Sequence, residues 1–162
     1  MYNEQSLLKE LDALCIKYEY YAHEPLFTVE QINTLQVDIK GLHCKNLFVK
    51  NKDGAKWILV INAEERANLK SIAEKLESSR LSFCSAEEMQ ACLGVIPGSV
   101  TPFAIANNSE HNVTLVIDKK LSESEIINCH PLANTATVAI TYSDLAKFIK
   151  HAGHEITVMN LC

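Results

Sequence analysis

Strand-type and helix-type patterns alternate irregularly along the chain, and this alternation limits the folds open to it. Alternating or β-branched apolar runs predict strands at residues 46–50, 56–61, 81–83, 103–106, 113–117, 135–140 and 155–159. Three- and four-residue apolar spacing or capping residues predict helices at 5–18, 64–76, 86–93, 123–128 and 144–152. The sequence therefore predicts the mixed α/β (α+β) class, with one mixed sheet and helices in a single domain over residues 1–162.

Short local motifs predict where several strands and helices begin or end. Asp53-Gly54 favours a tight turn, so the two runs beside it are predicted to form a hairpin. Thr28 with Gln31, and Ser85 with Glu88, have the spacing of capping boxes, and each predicts the start of a helix. Ser143 is predicted to cap the last helix.

Composition separates classes of function. The chain has 162 residues, 48% of them apolar, and a formal net charge of −5. A chain of this length buries about 70% of its unfolded surface, so it can form a core without disulfides or a metal. The acidic balance argues against broad coating of nucleic acid, although a local basic patch around one pocket could hold an RNA end.

Cysteine usage and the amino end indicate a cytoplasmic protein. The six cysteines include no C-x-x-C pair and are interpreted as buried thiols rather than as disulfides or zinc ligands. No apolar run approaches the roughly 20 residues that cross a bilayer, and the first residues do not resemble a signal peptide.

Common enzyme signatures are absent from the sequence. It has no G-x-G-x-x-G, G-x-x-x-x-G-K, G-x-S-x-G or H-E-x-x-H motif. Of the six histidines, only His151 and His154 have a ligand-like spacing, and no cysteine or carboxylate nearby completes a set. No cofactor and no metal site are predicted.

Three polar segments remain as candidates for chemistry. Lys45 precedes a strand, where its ammonium either projects into a cleft or lies at the surface. In the loop from Gly98 to Pro102, the backbone N–H groups of Ser99, Val100 and Thr101 could bind an anion or a carbonyl oxygen, or the loop is only a rigid turn. His130 stands beside a proline that locks the backbone, which suits either a fixed hydrogen bond in a site or a structural histidine.

These segments together carry a family resemblance. The motifs HCKNLF at 43–48, LGVIPGSVTPF at 93–103 and HPLANTAT at 130–137 resemble the YbaK-like prolyl-tRNA editing deacylases. The closest resemblance is to the freestanding proteins that hydrolyse alanine wrongly attached to proline tRNA, and it extends from about residue 23 to the carboxyl end. The family's fold is a mixed, partly barrel-like sheet flanked by helices, in agreement with the predicted elements.

The resemblance implies roles for individual residues. Lys45 would bind the phosphate next to the terminal adenosine, the Gly98–Pro102 loop would hold the aminoacyl ester and orient the attacking water, and His130 would shape the aminoacyl pocket. The route would be substrate-assisted and free of metal, with a ribose hydroxyl of the terminal adenosine helping to position water. Residues expected to support the site or line its pocket are Asn46, Ser99, Val100, Thr101, Pro102, Leu26, Phe27 and Ile32.

Other readings of the same residues stay open. The same fold could act on cysteine or serine attached to a tRNA, or it could bind an RNA end without hydrolysis. A metalloenzyme is the more distant alternative. The expected partner is the acceptor end of tRNA(Pro) carrying alanine, without a membrane, and the sequence leaves open whether prolyl-tRNA synthetase recruits the protein.

Overall fold

The fold is built around one mixed β-sheet. The structure is a computed structural model that describes residues 1–25 and 39–162. Within those residues, the strands are β1 (Glu19–Ala22), β2 (Leu42–Lys50), β3 (Lys56–Asn62), β4 (Ser82–Phe83), β5 (Val113–Asp118), β6 (Ile126–Cys129), β7 (Ala136–Thr141) and β8 (Ile156–Met159). The helices are α1 (Glu4–Ala13), α2 (Leu69–Lys75), α3 (Ala86–Leu93), α4 (Lys119–Ser122) and α5 (Tyr142–His151), with a 3₁₀ helix at Pro102–Asn107.

Parallel and antiparallel pairs coexist in the sheet. Its order is β1-β7-β6-β2-β3-β5-β8, and β4 pairs with β2 outside this path. The pairs β2–β6, β3–β5 and β5–β8 are parallel, whereas the hairpin β2–β3 is antiparallel. The predicted mixed α/β class, with helices flanking a mixed sheet, is confirmed.

The two faces of the sheet differ in chemistry. One face, which includes Cys44, Phe48 and Val60, packs into the larger hydrophobic cluster with α1, α5 and the 3₁₀ helix. The other face packs a smaller cluster on β3 and β5, where Leu59 and Val116 meet α2. On β2, β6 and β7 that second face instead carries polar side chains, and these belong to the candidate site.

Several predicted boundaries are confirmed and others are wrong. The hairpin forms, with β2 beginning earlier than predicted, and the Ser85–Glu88 capping box starts α3, which ends at Gly94 with φ of +66°. Thr141, rather than Ser143, caps α5, because the Thr141 hydroxyl accepts the hydrogen bond from the backbone of Asp144.

Larger corrections concern the kind of element. Residues 103–106, predicted as a strand, lie in the 3₁₀ helix that begins at Pro102. Residues 123–128, predicted as a helix, contain most of strand β6, and the short helix α4 precedes them. The first helix ends at Ala13 rather than at residue 18, and strand β1, which the sequence did not predict, follows. The Thr28–Gln31 capping box lies outside the described residues.

No helix in the described part of the chain is long and apolar enough to cross a membrane.

Candidate functional site

Lys45 lies in the first half of strand β2, and His130 directly follows the adjacent parallel strand β6. In the β2–β6 ladder, His43 is opposite Asn128. Lys45 and His130 each follow these paired residues by two positions, so strand alternation directs their side chains toward the same face of the sheet. The sequence could not show this approach, because the two strands are far apart along the chain.

Lys45 is half-buried rather than lying free at the surface. Its Nζ donates a hydrogen bond of 2.7 Å to the backbone carbonyl of Glu65. An ammonium group has three N–H donors, so this bond orients the group and leaves it two donors for an anionic ligand. The Glu65 carboxylate is engaged elsewhere, since its Oε1 lies 3.0 Å from Nζ of Lys120.

Histidine side chains cluster around this face of the sheet. His23 follows β1, and its ring is hydrogen-bonded on both sides, with Nε2 2.7 Å from the Thr137 hydroxyl and Nδ1 2.7 Å from the carbonyl of Glu24. The His130 Nδ1 donates to the carbonyl of Ala136 at 3.3 Å. Because a carbonyl only accepts, the neutral His130 ring has an unprotonated Nε2, to which no group within residues 1–25 and 39–162 donates a hydrogen bond.

Burial keeps two of these rings uncharged. Desolvation lowers the pKa of His130 below its ordinary value of 6.5, and the nearby rings of His23 and His43 lower it further. Desolvation also lowers the pKa of His43, with a further contribution from His23 and partial compensation by Glu64. Near neutral pH the site therefore offers imidazole acceptors rather than imidazolium donors.

Acidification is expected to destabilise the protein through His130. The pKa of His130 is lower in the folded protein than in the unfolded chain, where it is about 6.5. At a pH between these two pKa values the unfolded chain binds more protons, so the free energy of unfolding decreases as the pH falls below about 6.5. The melting temperature should decrease from pH 7.5 to 5.5, and the decrease should be smaller in His130→Gln. Thermal unfolding by circular dichroism at these pH values measures both, and identical pH slopes would contradict the expectation.

The glycine loop closes one side of the site. Gly98 has φ of +89°, a conformation that favours glycine. The Thr101 hydroxyl, from a fully buried residue, donates a hydrogen bond of 2.6 Å to the backbone carbonyl of His130. This bond fixes the loop against the end of β6, so the structure brings the predicted loop and the predicted histidine together.

The loop retains free donors. The backbone N–H of Ser99 is taken, because it donates to the carbonyl of Ile96 at 3.0 Å. Within residues 1–25 and 39–162, no hydrogen bond engages the backbone N–H of Val100 or Thr101, although both residues are buried. Buried backbone donors are normally satisfied, so this pair can hold a carbonyl oxygen or an oxyanion. Pro102 is also buried and begins the 3₁₀ helix.

Asn46 points away from Lys45. The two residues are neighbours on β2, and alternation places the Asn46 side chain with Cys44 and Phe48 on the face of the larger cluster. Its Oδ1 is buried and has no hydrogen-bond partner among the residues that the structure describes. The predicted supporting role of Asn46 therefore stays a prediction, while its side chain is not brought beside the Lys45 ammonium.

A pair of thiols lies beneath the site. Cys44 and Cys129, each one residue before Lys45 and His130 respectively, are buried with their Sγ atoms 3.6 Å apart. The hydrogen bond to Cys44 and burial raise the pKa of Cys129, so this thiol is not an activated nucleophile. Across residues 1–25 and 39–162, no group of three His, Cys, Asp or Glu side chains could hold a metal ion.

Sequence reasoning missed part of the polar face. His23, Asn128 and Thr137 are not among the site residues predicted from the sequence, although each lies in or beside one of the predicted elements or motifs. The alternating pattern of β6 was the available signal for Asn128, but 123–128 was interpreted as a helix, which hid its pairing with His43. The predicted pocket residues Leu26, Phe27 and Ile32 lie outside the described residues.

The combination of a held cation, free backbone donors and neutral imidazoles on a mixed sheet defines a site suited to an acyl ester attached to a phosphate-bearing ligand. The model of the aminoacyl-tRNA editing domain family matches residues 23–148. The chain therefore belongs to the aminoacyl-tRNA editing domain family, and the family resemblance of the three motifs is confirmed.

Curated relatives match along nearly the whole chain. The prolyl-tRNA editing protein ProX of Acetoanaerobium sticklandii is 31% identical over 159 residues, covering 98% of this chain and 97% of that protein. The prolyl-tRNA synthetase associated domain-containing protein 1 of Bos taurus is 32% identical over 160 residues, covering 96% of this chain and 93% of the relative.

Solved structures share the fold. The hypothetical protein APE2540 superposes with a TM-score of 0.71 at 20% identity, covering 94% of this chain and 97% of the other. A protein described as a candidate trans-editing enzyme for prolyl-tRNA synthetase superposes with a TM-score of 0.68 at 13% identity, covering 99% and 98% of the two chains.

Proposed function

We propose that this protein hydrolyses alanyl-tRNA(Pro) to alanine and tRNA(Pro), acting in trans as one editing domain over residues 1–162. The observation that carries the proposal is that three predicted site elements lie together. The Gly98–Pro102 loop is hydrogen-bonded through Thr101 to His130, and His130 follows β6, the strand adjacent to the one that carries Lys45. The names of the relatives in Acetoanaerobium sticklandii and Bos taurus, which refer to prolyl-tRNA editing and to prolyl-tRNA synthetase, support the choice of proline tRNA.

Each part of the site has a role in the proposed reaction. Water adds to the ester carbonyl, the carbonyl oxygen gains negative charge, and the bond to the ribose oxygen then breaks as that oxygen takes up a proton. The free N–H groups of Val100 and Thr101 are suited to the developing oxyanion. Lys45 would anchor the phosphate beside the terminal adenosine, and Gly98 allows the loop to approach the ester closely.

The proposed water activation is substrate-assisted and needs no metal. Cys44 and Cys129 are buried in the core, and burial raises the pKa of the Cys84 thiol to about 11, so neither the paired thiols nor Cys84 supplies a thiolate nucleophile. A ribose hydroxyl of the terminal adenosine would position the water, and the free Nε2 of His130 is an acceptor that could stabilise this arrangement.

Selection for alanine would depend on pocket size. Binding energy separates side chains that differ by one methylene by only about 1–3 kcal/mol, so a synthetase admits some alanine in place of proline. An editing pocket that accepts alanine rejects larger side chains by steric overlap. His130 and the predicted residues Leu26, Phe27 and Ile32 are the proposed lining.

A basic surface cavity offers further contact to RNA. Four of its lining residues are Lys50, Lys52, Lys56 and Arg80, and its volume is about 570 Å³. Lys50 is paired with Glu88 at 2.8 Å, which leaves three cationic groups there for phosphates. Because the whole chain carries a net charge of −5, we expect contact to tRNA to be local and sensitive to salt. Action in the cytoplasm and a transient association with prolyl-tRNA synthetase complete the proposal.

The test is release of labelled amino acid by the purified protein in the presence of EDTA. Alanyl-, prolyl-, cysteinyl- and seryl-tRNA(Pro) are compared side by side. We expect rapid release of alanine, little release of proline, and no loss of rate with the chelator. Preferential release of cysteine or serine would replace the substrate, and loss of activity with EDTA would overturn the metal-free route.

A noncatalytic module that binds the RNA end is the second candidate, favoured by the basic cavity. It predicts binding of uncharged and charged tRNA without turnover of any of the four substrates. Release of any amino acid above the spontaneous rate contradicts it.

A further inference from the structure

Asn128 is a buried amide, with 3% of its side chain exposed. Among residues 1–25 and 39–162, neither its Oδ1 nor its Nδ2 has a hydrogen-bond partner. Leaving a buried donor or acceptor unsatisfied costs about 1–3 kcal/mol, so the folded chain retains this residue at a cost to its stability. Unsatisfied buried polar groups in folded proteins call for an explanation, and a ligand that completes their hydrogen bonds is one such explanation.

The position of Asn128 relates this cost to the site. On one side it is opposite His43 of β2, and on the other it is opposite Ala139 of β7. Asn128 precedes His130 by two residues, and strand alternation places its side chain on the face that carries Lys45 and Thr137. The orphaned amide therefore lies beside His43, one side-chain row behind Lys45 and His130 on the same face of the sheet.

The surroundings favour a ligand that donates hydrogen bonds. The neighbouring rings of His43 and His130 have lowered pKa values because of burial and the nearby imidazoles, so they are uncharged near neutral pH. Neutral imidazole nitrogens and an unpartnered amide oxygen can accept hydrogen bonds from a cationic group, and these neutral groups do not themselves repel its charge.

An aminoacyl ester presents the complementary groups. Its α-ammonium donates hydrogen bonds, and its ester carbonyl, on the adjacent carbon, accepts them. A side-chain amide carries one acceptor and one donor at a similar spacing, so it can satisfy both groups at once. An N-acylated amino acid has lost the charge and carries extra bulk at the same position.

We propose that Asn128 recognises the free α-ammonium group of the aminoacyl ester, with Oδ1 accepting its hydrogen bond and Nδ2 donating to the ester carbonyl. This inference rests on the proposed function and adds a second substrate feature that the site recognises, the free α-ammonium group, besides the size of the amino-acid side chain. It makes Asn128 a substrate-binding residue, and it explains why a polar side chain occupies a buried position without partners.

The inference predicts opposite effects on stability and binding. Asn128→Leu, which is similar in size and apolar, should raise the melting temperature of the free protein because two unsatisfied groups are removed. The matched control is Asn107→Leu, because Asn107 is also buried but bonds to the backbone of Tyr2 and Leu93. That control should lower the melting temperature.

The binding probe is 3′-deoxy-3′-(L-alanylamino)adenosine, in which an amide replaces the ester and blocks turnover, compared with its N-acetyl derivative by NMR titration. We expect the wild type to bind the free amine about 10- to 150-fold more tightly than the acetylated probe, the range given by one hydrogen bond to a charged group. Asn128→Leu should lose this preference, while Asn128→Asp, which keeps an acceptor, should retain it.

The outcomes test the role of Asn128 separately from the proposed deacylase function. Equal binding of the two probes by the wild type, or a preference that survives in Asn128→Leu, overturns the role of Asn128. A lower melting temperature in Asn128→Leu also overturns it, since the amide would then be satisfied within the protein. If the wild type prefers the free amine and Asn128→Leu loses that preference, but no amino acid is released from any charged tRNA, the proposed hydrolysis fails while recognition of the α-ammonium by Asn128 is supported.

Discussion

Replacing Lys45 with alanine is expected to lower kcat/KM for alanyl-tRNA(Pro) by about 10- to 150-fold, the cost of losing a hydrogen bond to a charged group. The ammonium is held at 2.7 Å from the Glu65 carbonyl, so it is positioned before the phosphate arrives. Single-turnover deacylation over a range of protein concentrations separates the effect on binding from the effect on the chemical step. We expect most of the loss in binding, because the proposed contact is to a phosphate away from the reacting carbon.

The chain offers a matched control for this substitution. Lys147 also donates from Nζ to a backbone carbonyl, that of Leu14 at 3.0 Å, but it lies on α5. Lys147→Ala removes the same kind of contact and should leave deacylation unchanged. Lys45→Arg keeps the charge with a different donor geometry and should retain part of the activity. Equal rates for Lys45→Ala and the wild type would remove Lys45 from the site.

Gly98→Ala is expected to reduce the rate of the chemical step by about 10²- to 10³-fold, the loss typical of removing an oxyanion-hole donor. At φ of +89° an alanine is strained, and relief of that strain rotates the backbone that presents the N–H groups of Val100 and Thr101. Single-turnover rates at saturating protein measure this step without the contribution of binding.

Gly153→Ala controls for backbone strain alone. Gly153 has φ of +86°, and a Cβ added there meets no atom within 4 Å. Both variants should lose a similar amount of stability, whereas only Gly98→Ala should lose activity. Similar activity of the two variants would show that the loop geometry at Gly98 does not matter for the reaction.

Local sequence motifs predicted the parts of the fold that short-range chemistry controls. The Asp53-Gly54 turn and the Ser85 capping box involve residues that contact one another within a few positions, and both are present. Strand β6 was missed because isolated propensity in 123–128 does not contain the information that β2 and β7 lie on either side. Pairing across such sequence distances overrides local preference.

The candidate site shows the same division. Motif resemblance identified Lys45, His130 and the Gly98 loop, and the structure brings the loop to His130 through Thr101. The motifs could not reveal that the Ser99 backbone N–H is already engaged, or that Asn128, on the polar face, has no hydrogen-bond partner in the described part of the chain. Those facts depend on the positions of single hydrogen bonds, which no residue pattern encodes.

The thiol pair of Cys44 and Cys129 makes the opening of the site measurable by chemical labelling. Both sulfurs are buried where β2 meets β6, so an alkylating reagent reaches them only when this part of the sheet opens locally. Cys15 and Cys162 are exposed and serve as internal references that react without opening. Mass spectrometry of the labelled cysteines therefore reports, residue by residue, how often this part of the fold opens, and whether a bound tRNA end makes that opening rarer.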